Sequence, residues 1–558
     1  MDSQGHGQAF GDAVGNIEQR TALRDPAQDG AVVVEPPLHE AGAALVVNRR
    51  RLQSGAEGRL LLGRPWEDLR RQARHDAVAA ALDYLRENPP AENRVPKIDT
   101  LLVAGHQPEL FHPGVWVKNF ALYGLARAHG AVPLNLIVDN DTVKTTALRV
   151  PAPAAREDDR PHARTVLFDR WTGEVPYEEK TIADRELFAS FAERAGELLR
   201  GWHYKPLLPS FWAEVLRQTK RTSLLGECLA TARRMFEQNW GCYNLEVPLS
   251  AVCRTEPFGW FVCHLLGQLP RFHALYNAVV EDYRRRHGIR NRNHPVPDLA
   301  VEGDWLEAPL WGWRAGDGKR GRLFARVRDD RLELRAGAET WPALPQPDEA
   351  RGEATVAAWR QLEGQGFKLR SRALTTTLYS RLFLADLFVH GIGGGKYDEL
   401  TDELIRRFYD CEAPIYMVLS ATRWLPLPRA AARPDDRRRL LRDLRDVHYN
   451  PQRHLDESDR ASLAEWIERK QEWIARQPLT AAQRRERFRV LRSLTDELRR
   501  PLHRREEQLR RELESCTRQL QADAVLQRRD YSFCLFPADS LYPFCTPFLN
   551  LDLPAPAR

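Results

Sequence analysis

The sequence predicts an α/β fold: a parallel-sheet core, a large α/β insertion within it, and a C-terminal helical arm. Three observations predict this. Short apolar runs such as Thr100–Ala104 and Val132–Val138 alternate with helix-length segments, as expected of strands buried on both faces and joined by crossover helices. The same grammar returns near residue 388. Beyond Pro434 the chain is dominated by Arg, Glu, Asp and Leu, with apolar residues stepping by three and four, the period of packed helices.

The elements follow in order. Residues 1–60 are expected to form a mobile N-terminal segment, its first 36 residues Gly-, Asp- and Gln-rich. The first part of the core spans 61–151. Trp66, Leu69, Ala73, Ala77, Ala81 and Leu85 predict a helix over 65–87, and PPAENRVPK (89–97) a linker. Thr100–Ala104 is a buried strand, GHQPELFHPG (105–114) a Gly-led loop, 115–129 a helix, and Val132–Val138 a second strand ending in Asp139–Asn140–Asp141. Strand, loop, helix, parallel strand is the unit of Rossmann-like sheets. An insertion, 152–345, is helical and then β-rich. The second part of the core, 346–428, holds a helix at 374–387, a strand Phe388–Ile392, a turn at Gly393–Gly395, a helix at 396–410 and a strand Ile415–Leu419. In the arm, 429–528, Thr480 with Gln483 forms a capping box and Pro501 kinks the long helix. The aromatic tail, 529–558, is too apolar to stay free and packs back on the core.

Composition sets limits on function. The chain has 558 residues, 43% hydrophobic and 29% charged, with a formal net charge of +6. So small an excess gives no field for nucleic acid, and Arg in the arm is interleaved with acids. No apolar run is long enough for a membrane helix, and the first residues lack a secretory pattern. The eight Cys show no CxxC and no metal-ligand spacing. They read as buried thiols of a cytoplasmic protein. Only ten residues are Lys, so a retained Lys such as Lys118, Lys144, Lys368 or Lys396 hints at a need for a compact ammonium.

Four segments carry candidate chemistry. In the loop 105–114, Gly105 permits a sharp turn off the strand end, and His106, Gln107, Glu109 and His112 stand before a helix N-terminus that favours anions. The two His could flank a phosphate or donate to a developing charge; the alternative is a surface loop. Asp139, Asn140 and Asp141 end the second strand and could hold a ribose, Mg²⁺ or an amine, or simply cap a turn. Gly393, Gly394 and Gly395 before Lys396 do not make a Walker A loop, but they permit either close backbone approach to a phosphate or carboxylate or simple tight packing. Lys368, Arg370 and Arg372 alternate in KLRSR, giving either a phosphate-facing edge or solvent decoration.

AGHQPELFHPGVWVKNFAL, PLNLIVDNDT, EAPLWGWRAGDGKRGRL, LFVHGIGGGKYDELTDELIRRFYDCEAPIYMVL and VLQRRDYSF, in this order, resemble segments of the bacillithiol-biosynthesis cysteine-adding enzymes over most of residues 60–550. The resemblance implies a Rossmann-like core, a coiled coil that mediates homodimerisation, and a ligase reaction joining the carboxyl of cysteine to the amine of an amino sugar. Such a reaction activates a carboxylate, most simply with ATP and Mg²⁺, although the cofactor is left open. Gly105, His106 and Gln107 match the first loop of the family, Asp139 and Asp141 its acidic strand end, and Gly393 and Gly394 its glycine segment. His106 stands where the family has Gln, and the histidine of its acidic motif is absent. A shorter pattern (His106, Gln107, Pro108, Gly114, Lys118) is similar to WbqC-like proteins over some forty residues. The expectation is a divergent carbon–nitrogen ligase acting on small molecules. His106, His112, Asp139 and Asp141 would be catalytic. Gly105, Gln107, Lys118, Asn140, Gly393, Gly394 and Lys396 would bind substrate or nucleotide. The rival is a non-catalytic nucleotide-binding or coiled-coil scaffold.

Overall fold

A computed structural model of the chain describes residues 23–86, 98–153, 162–429 and 431–552. Residues 1–22 and the expected linker at 89–97 lie outside the described residues. The chain is mixed α/β and divides into two compact units. One comprises residues 1–150, 165–424 and 529–558; the other comprises residues 151–164 and 425–528.

The first unit begins with strand β1 (Val32–Glu35), helix α1 (Ala41–Ala56) and helix α2 (Trp66–Tyr84). Residues 32–56 were expected to be mobile with the rest of 1–60, yet they are built into the core, as a sheet strand and a helix tied to it. Asn48 of α1 donates 2.7 Å bonds to the carbonyls of Asp386 and Ile415. Helix α2 buries Trp66, Leu69, Ala73, Ala77 and Ala81, the face its spacing predicts. Next come β2 (Leu101–His106), α3 (Pro113–Ala128) and β3 (Val132–Ile137). The segment 152–345 supplies α4 (Leu225–Asn239), β4 (Leu245–Pro248), β5 (Trp305–Arg314), β6 (Gly321–Arg328) and β7 (Arg331–Ala336). Strand β8 (Phe367–Ser371), β9 (Leu387–His390), α5 (Ile392–Tyr409) and β10 (Tyr416–Ala421) complete the unit's main elements.

The main sheet has six strands in the order β1-β10-β9-β2-β3-β4. All pairs are parallel except β1 with β10. Counted along the chain, its parallel strands run fifth, fourth, first, second, third. The direction of progression therefore reverses between β2 and β9. Every residue of β9 and β10 is buried, which is why both read as unbroken apolar runs. Strand β4 arises inside the expected insertion, so that segment completes the main sheet at one edge.

The second sheet is antiparallel, with β7-β6-β5-β8 as its centre. Its inward residues Leu310, Leu323, Ala325 and Leu334 share one hydrophobic cluster with Leu101, Val103, Leu134 and Phe388 of the main sheet. Strand β8, expected in the second part of the core, pairs with β5 instead.

Helix α5 starts four residues earlier than expected. Gly391 is its extended N-cap, so Gly393–Gly395 form its first turn and not a separate loop. A single extended residue suffices to pass from β9 into α5. The junction is tight: a Cβ on Gly395 would stand 2.4 Å from Val418 Cγ2.

In the helical unit, α6 (Pro434–Tyr449), α7 (Ala464–Ala475), α8 (Ala481–Arg499) and α9 (His503–Leu526) surround Leu440, Val447, Leu498, Leu509 and Cys516. The Thr480–Gln483 capping box is formed. A 3₁₀ turn, Arg500–Leu502, carries Pro501 and separates α8 from α9, since proline cannot donate to an α-helical ladder.

Candidate functional site

Parallel register puts the candidate segments on one edge of the main sheet. His106 pairs with Ile137 across β2 and β3, and Ala104 pairs with Val389 across β2 and β9. The segments that follow, the loops 107–112 and 138–142 and the N-cap and first turn of α5 at 391–396, thus leave the carboxyl ends of neighbouring strands. In open parallel sheets this edge binds ligands, chiefly where strand order reverses. Here that point lies between β2 and β9.

The acidic groups converge beyond β2 and β3. Gln107 Nε2 donates to Asp141 Oδ2 at 2.9 Å. Asp141 Oδ1 also accepts from Thr142 N at 2.8 Å and from Arg320 Nη2 at 2.7 Å. Asp141 is therefore well satisfied. Glu109 lies close enough to Asp141 to feel it. Burial, and then the Asp141 charge, push its carboxyl up to about 7. Burial, and then both carboxylates, also raise the Tyr177 phenol.

Asp139 faces the start of the segment after β4. Its Oδ1 accepts from Ser250 N at 2.8 Å and its Oδ2 from Ser250 Oγ at 2.5 Å. Burial raises it to about 6, with the neighbouring Glu178 next in weight. Asn140 takes a structural place: its Nδ2 donates to Ser371 O at 2.8 Å, and its carbonyl accepts from Arg320 Nη1 at 2.8 Å. A cavity of about 240 Å³ opens here, lined by Asp139, Tyr177, Glu178, Glu227, Arg254 and Lys368 among others.

The histidines and Lys118 sit apart from that cavity. His106 is the last residue of β2, not part of the loop. Its ring packs edge-on against Phe111 at 4.9 Å, and burial followed by the Lys118 charge lowers it to about 3. It therefore stays neutral. His112 is the N-cap of α3, its Nδ1 accepting from Gly114 N at 3.1 Å, and burial lowers it too. Burial thus works against an imidazolium at either position. Lys118, 3% exposed, donates to the Gly105 carbonyl at 2.8 Å, and burial lowers its ammonium to about 8. Gly393 and Gly394 are exposed at the start of α5, with Lys396 half-buried one turn on.

KLRSR is neither phosphate edge nor solvent decoration. Arg370 is fully buried and bridges Glu178, 3.0 Å, and Glu363, 2.8 Å. Lys368 joins Glu178 and Glu179 at 3.1 and 2.9 Å, and Arg372 joins the buried Glu307 at 2.6 Å. The alternation was visible in the sequence. Apart from Glu363, seven residues before Arg370, the acidic partners lie far off in the chain, so their pairing was not. Glu178, Tyr177 and Arg320 were missed for that reason. His390 was missed although it carries the same signal as His106, a polar residue closing a buried apolar strand.

No family model matches this chain, and no curated protein sequence matches it.

Proposed function

We propose that the chain is a carbon–nitrogen ligase-like enzyme on a Rossmann-like core. It would join a small, cysteine-like amino acid to an amino sugar or similar amine. The observation that carries this reading is Asp139, raised to about 6 on the wall of a cavity that also holds Glu178 and Glu227, with Glu109, raised to about 7, next in the chain to Pro108 of the same wall. An ammonium must lose a proton before its nitrogen can attack a carboxyl carbon. A base titrating near neutrality does this best. Asp139 and Glu227 on the cavity wall attract the ammonium, and Arg254 suits an accompanying carboxylate.

The acid must also be activated, and ATP with Mg²⁺ is the cofactor this reading uses. When bound, it would supply a leaving group to the carboxyl. The uncapped first turn of α5, with Gly393 and Gly394 exposed and Lys396 beyond, fits a phosphate. The helices α8 and α9 are read as a coiled-coil arm for a homodimer, and the eight unpaired cysteines suit a cytoplasmic setting.

The test is a panel of nucleotides, cysteine and amino-sugar acids, read by thermal shift and by mass spectrometry of the amide product. Wild type should be stabilised and turn over, and Glu109→Gln and Asp139→Asn should each lose about 10²-fold or more in rate. Full turnover in both variants would remove the assignment. The second reading, a non-catalytic scaffold, is favoured by the internal bonds that occupy His112, Asn140 and Asp141. It predicts no product with any pair.

A further inference from the structure

A buried relay lies under the first turn of α5 and plays no part in the ammonium chemistry above. His390, the last residue of β9, is 6% exposed. Its Nε2 stands 3.0 Å from Asp398 Oδ2. Asp398, 1% exposed, accepts from Arg381 Nη1 at 2.7 Å, and Arg381 donates to Asp402 at 2.5 Å. Burial opposes ionisation of Asp398, but the Arg381 guanidinium and His390 together hold it well below the usual carboxylate range. An ionised carboxylate only accepts. The hydrogen on Nε2 is therefore fixed by Asp398, and Nδ1 is the nitrogen left over.

That nitrogen faces the helix start. A Cβ on Gly394 would lie 2.7 Å from it, and among the described residues no hydrogen-bond partner engages it. The first turn is equally unclaimed. No side chain caps α5, a helix of 18 residues, so its leading N–H groups lack acceptors. Gly393 and Gly394 are exposed, and the space beside Gly393 is open. A buried imidazole nitrogen and a set of orphan N–H groups thus lie at the same helix start, at the end of the strand that flanks the reversal of the sheet.

We propose that this is a phosphate-binding site: the first-turn N–H groups of α5 hold a phosphoryl group, and His390, which takes up a proton from solvent on Nδ1 as the anion binds while Nε2–H stays on Asp398, donates to one of its oxygens through Nδ1. Asp398 is the positioning residue, because it sets which nitrogen faces the ligand. A tetrahedral oxyanion can meet two donor sets that approach from different sides, whereas a planar carboxylate has only two oxygens to share. The inference deepens the nucleotide half of the reading above, but it does not depend on ligase chemistry.

The experiment titrates the full chain with inorganic phosphate, pyrophosphate and acetate by calorimetry. In parallel, ¹⁵N spectra of histidine-labelled protein follow the imidazoles. Phosphate and pyrophosphate should saturate and move one imidazole's Nδ1, while acetate binds at least tenfold more weakly. His390→Gln should weaken phosphate at least tenfold. Gly394→Ala, which thrusts a methyl at Nδ1, should do the same with its melting temperature within a few degrees of wild type. Asp398→Asn should change the tautomer seen by ¹⁵N as well as the affinity. His454→Gln, in the helical unit, should change nothing. Acetate binding as tightly as phosphate, no phosphate binding to the folded wild type, or equal binding in folded His390→Gln and Gly394→Ala proteins would overturn the site. Phosphate binding with no amide product would sink the ligase reading and leave this one standing.

Discussion

Glu109 offers a measurement in which the candidate base reports on itself. Its carboxyl moves from an ordinary 4.5 to about 7 in the folded chain. Each tenfold change in proton affinity is worth about 1.36 kcal/mol, so the native state prefers the protonated acid by roughly 3 kcal/mol at most. Partial exposure removes some of that, leaving about 1–3 kcal/mol. The sign follows from linkage: a raised carboxyl contributes stability that is complete below its unfolded value and is lost as pH rises through the folded value. Wild type should therefore lose about 1–3 kcal/mol from this group between about pH 4.5 and 8. Glu109→Gln mimics the protonated form and should not. Urea denaturation of both proteins at the two pH values, followed by tryptophan fluorescence, gives the double difference and cancels every other titrating group. An identical difference between the proteins at both pH values would show that Glu109 is an ordinary surface acid. The general-base assignment would fall with it.

Further outcomes follow from packing and pairing. Asp386 accepts from Arg70 at 2.9 Å, Arg74 at 2.8 Å and the backbone N–H of Leu101 at 2.7 Å; Asp386→Ala leaves two largely buried guanidinia unpaired and should cost about 3–5 kcal/mol by denaturant titration. A Cβ on Gly114 would stand 1.9 Å from the Ala421 carbonyl oxygen, so Gly114→Ala should cost about 1–3 kcal/mol or more. The contrasting Gly196→Ala, in a helix with open space around it, should gain about 0.5–1 kcal/mol, both read as shifts in melting temperature. Thr480→Ala removes the reciprocal cap of α8 and should cost about 0.5–2 kcal/mol, seen as faster amide exchange in that helix.

The sequence revealed most where local pattern and tertiary role coincide. Strands β2, β3, β9 and β10 are buried on both faces, so their apolar runs stood out, and helix α2 showed its buried stripe. Pro501 and the Thr480 cap act through neighbouring backbone and were equally legible. Strand β4 was not, because four residues, LEVP, carry no periodicity, and its identity as a strand comes from pairing with β3. The start of α5 was misplaced because glycines signal a turn unless tight packing, as at Val418, demands them. At the site, the loop and the acidic strand end were readable as positions, but not as chemistry. The neutral state of His106, the near-neutral carboxyls of Glu109 and Asp139, and the pairing of KLRSR all depend on burial and on partners from distant segments. His390 carried a local signal, but its orientation by Asp398 appears only once α5 is seated on β9.

The bond from Leu101 to Asp386 spans 285 positions of chain, and this has a consequence for biosynthesis. Until the ribosome has delivered β9, one edge of β2 has no mate. At about 5–20 residues per second that wait lasts roughly 15–60 s. Over that interval a greasy ribbon is on offer to any passing polypeptide. Successful production of this protein should then depend on holdase supply and translation speed more than on the final stability of what is made.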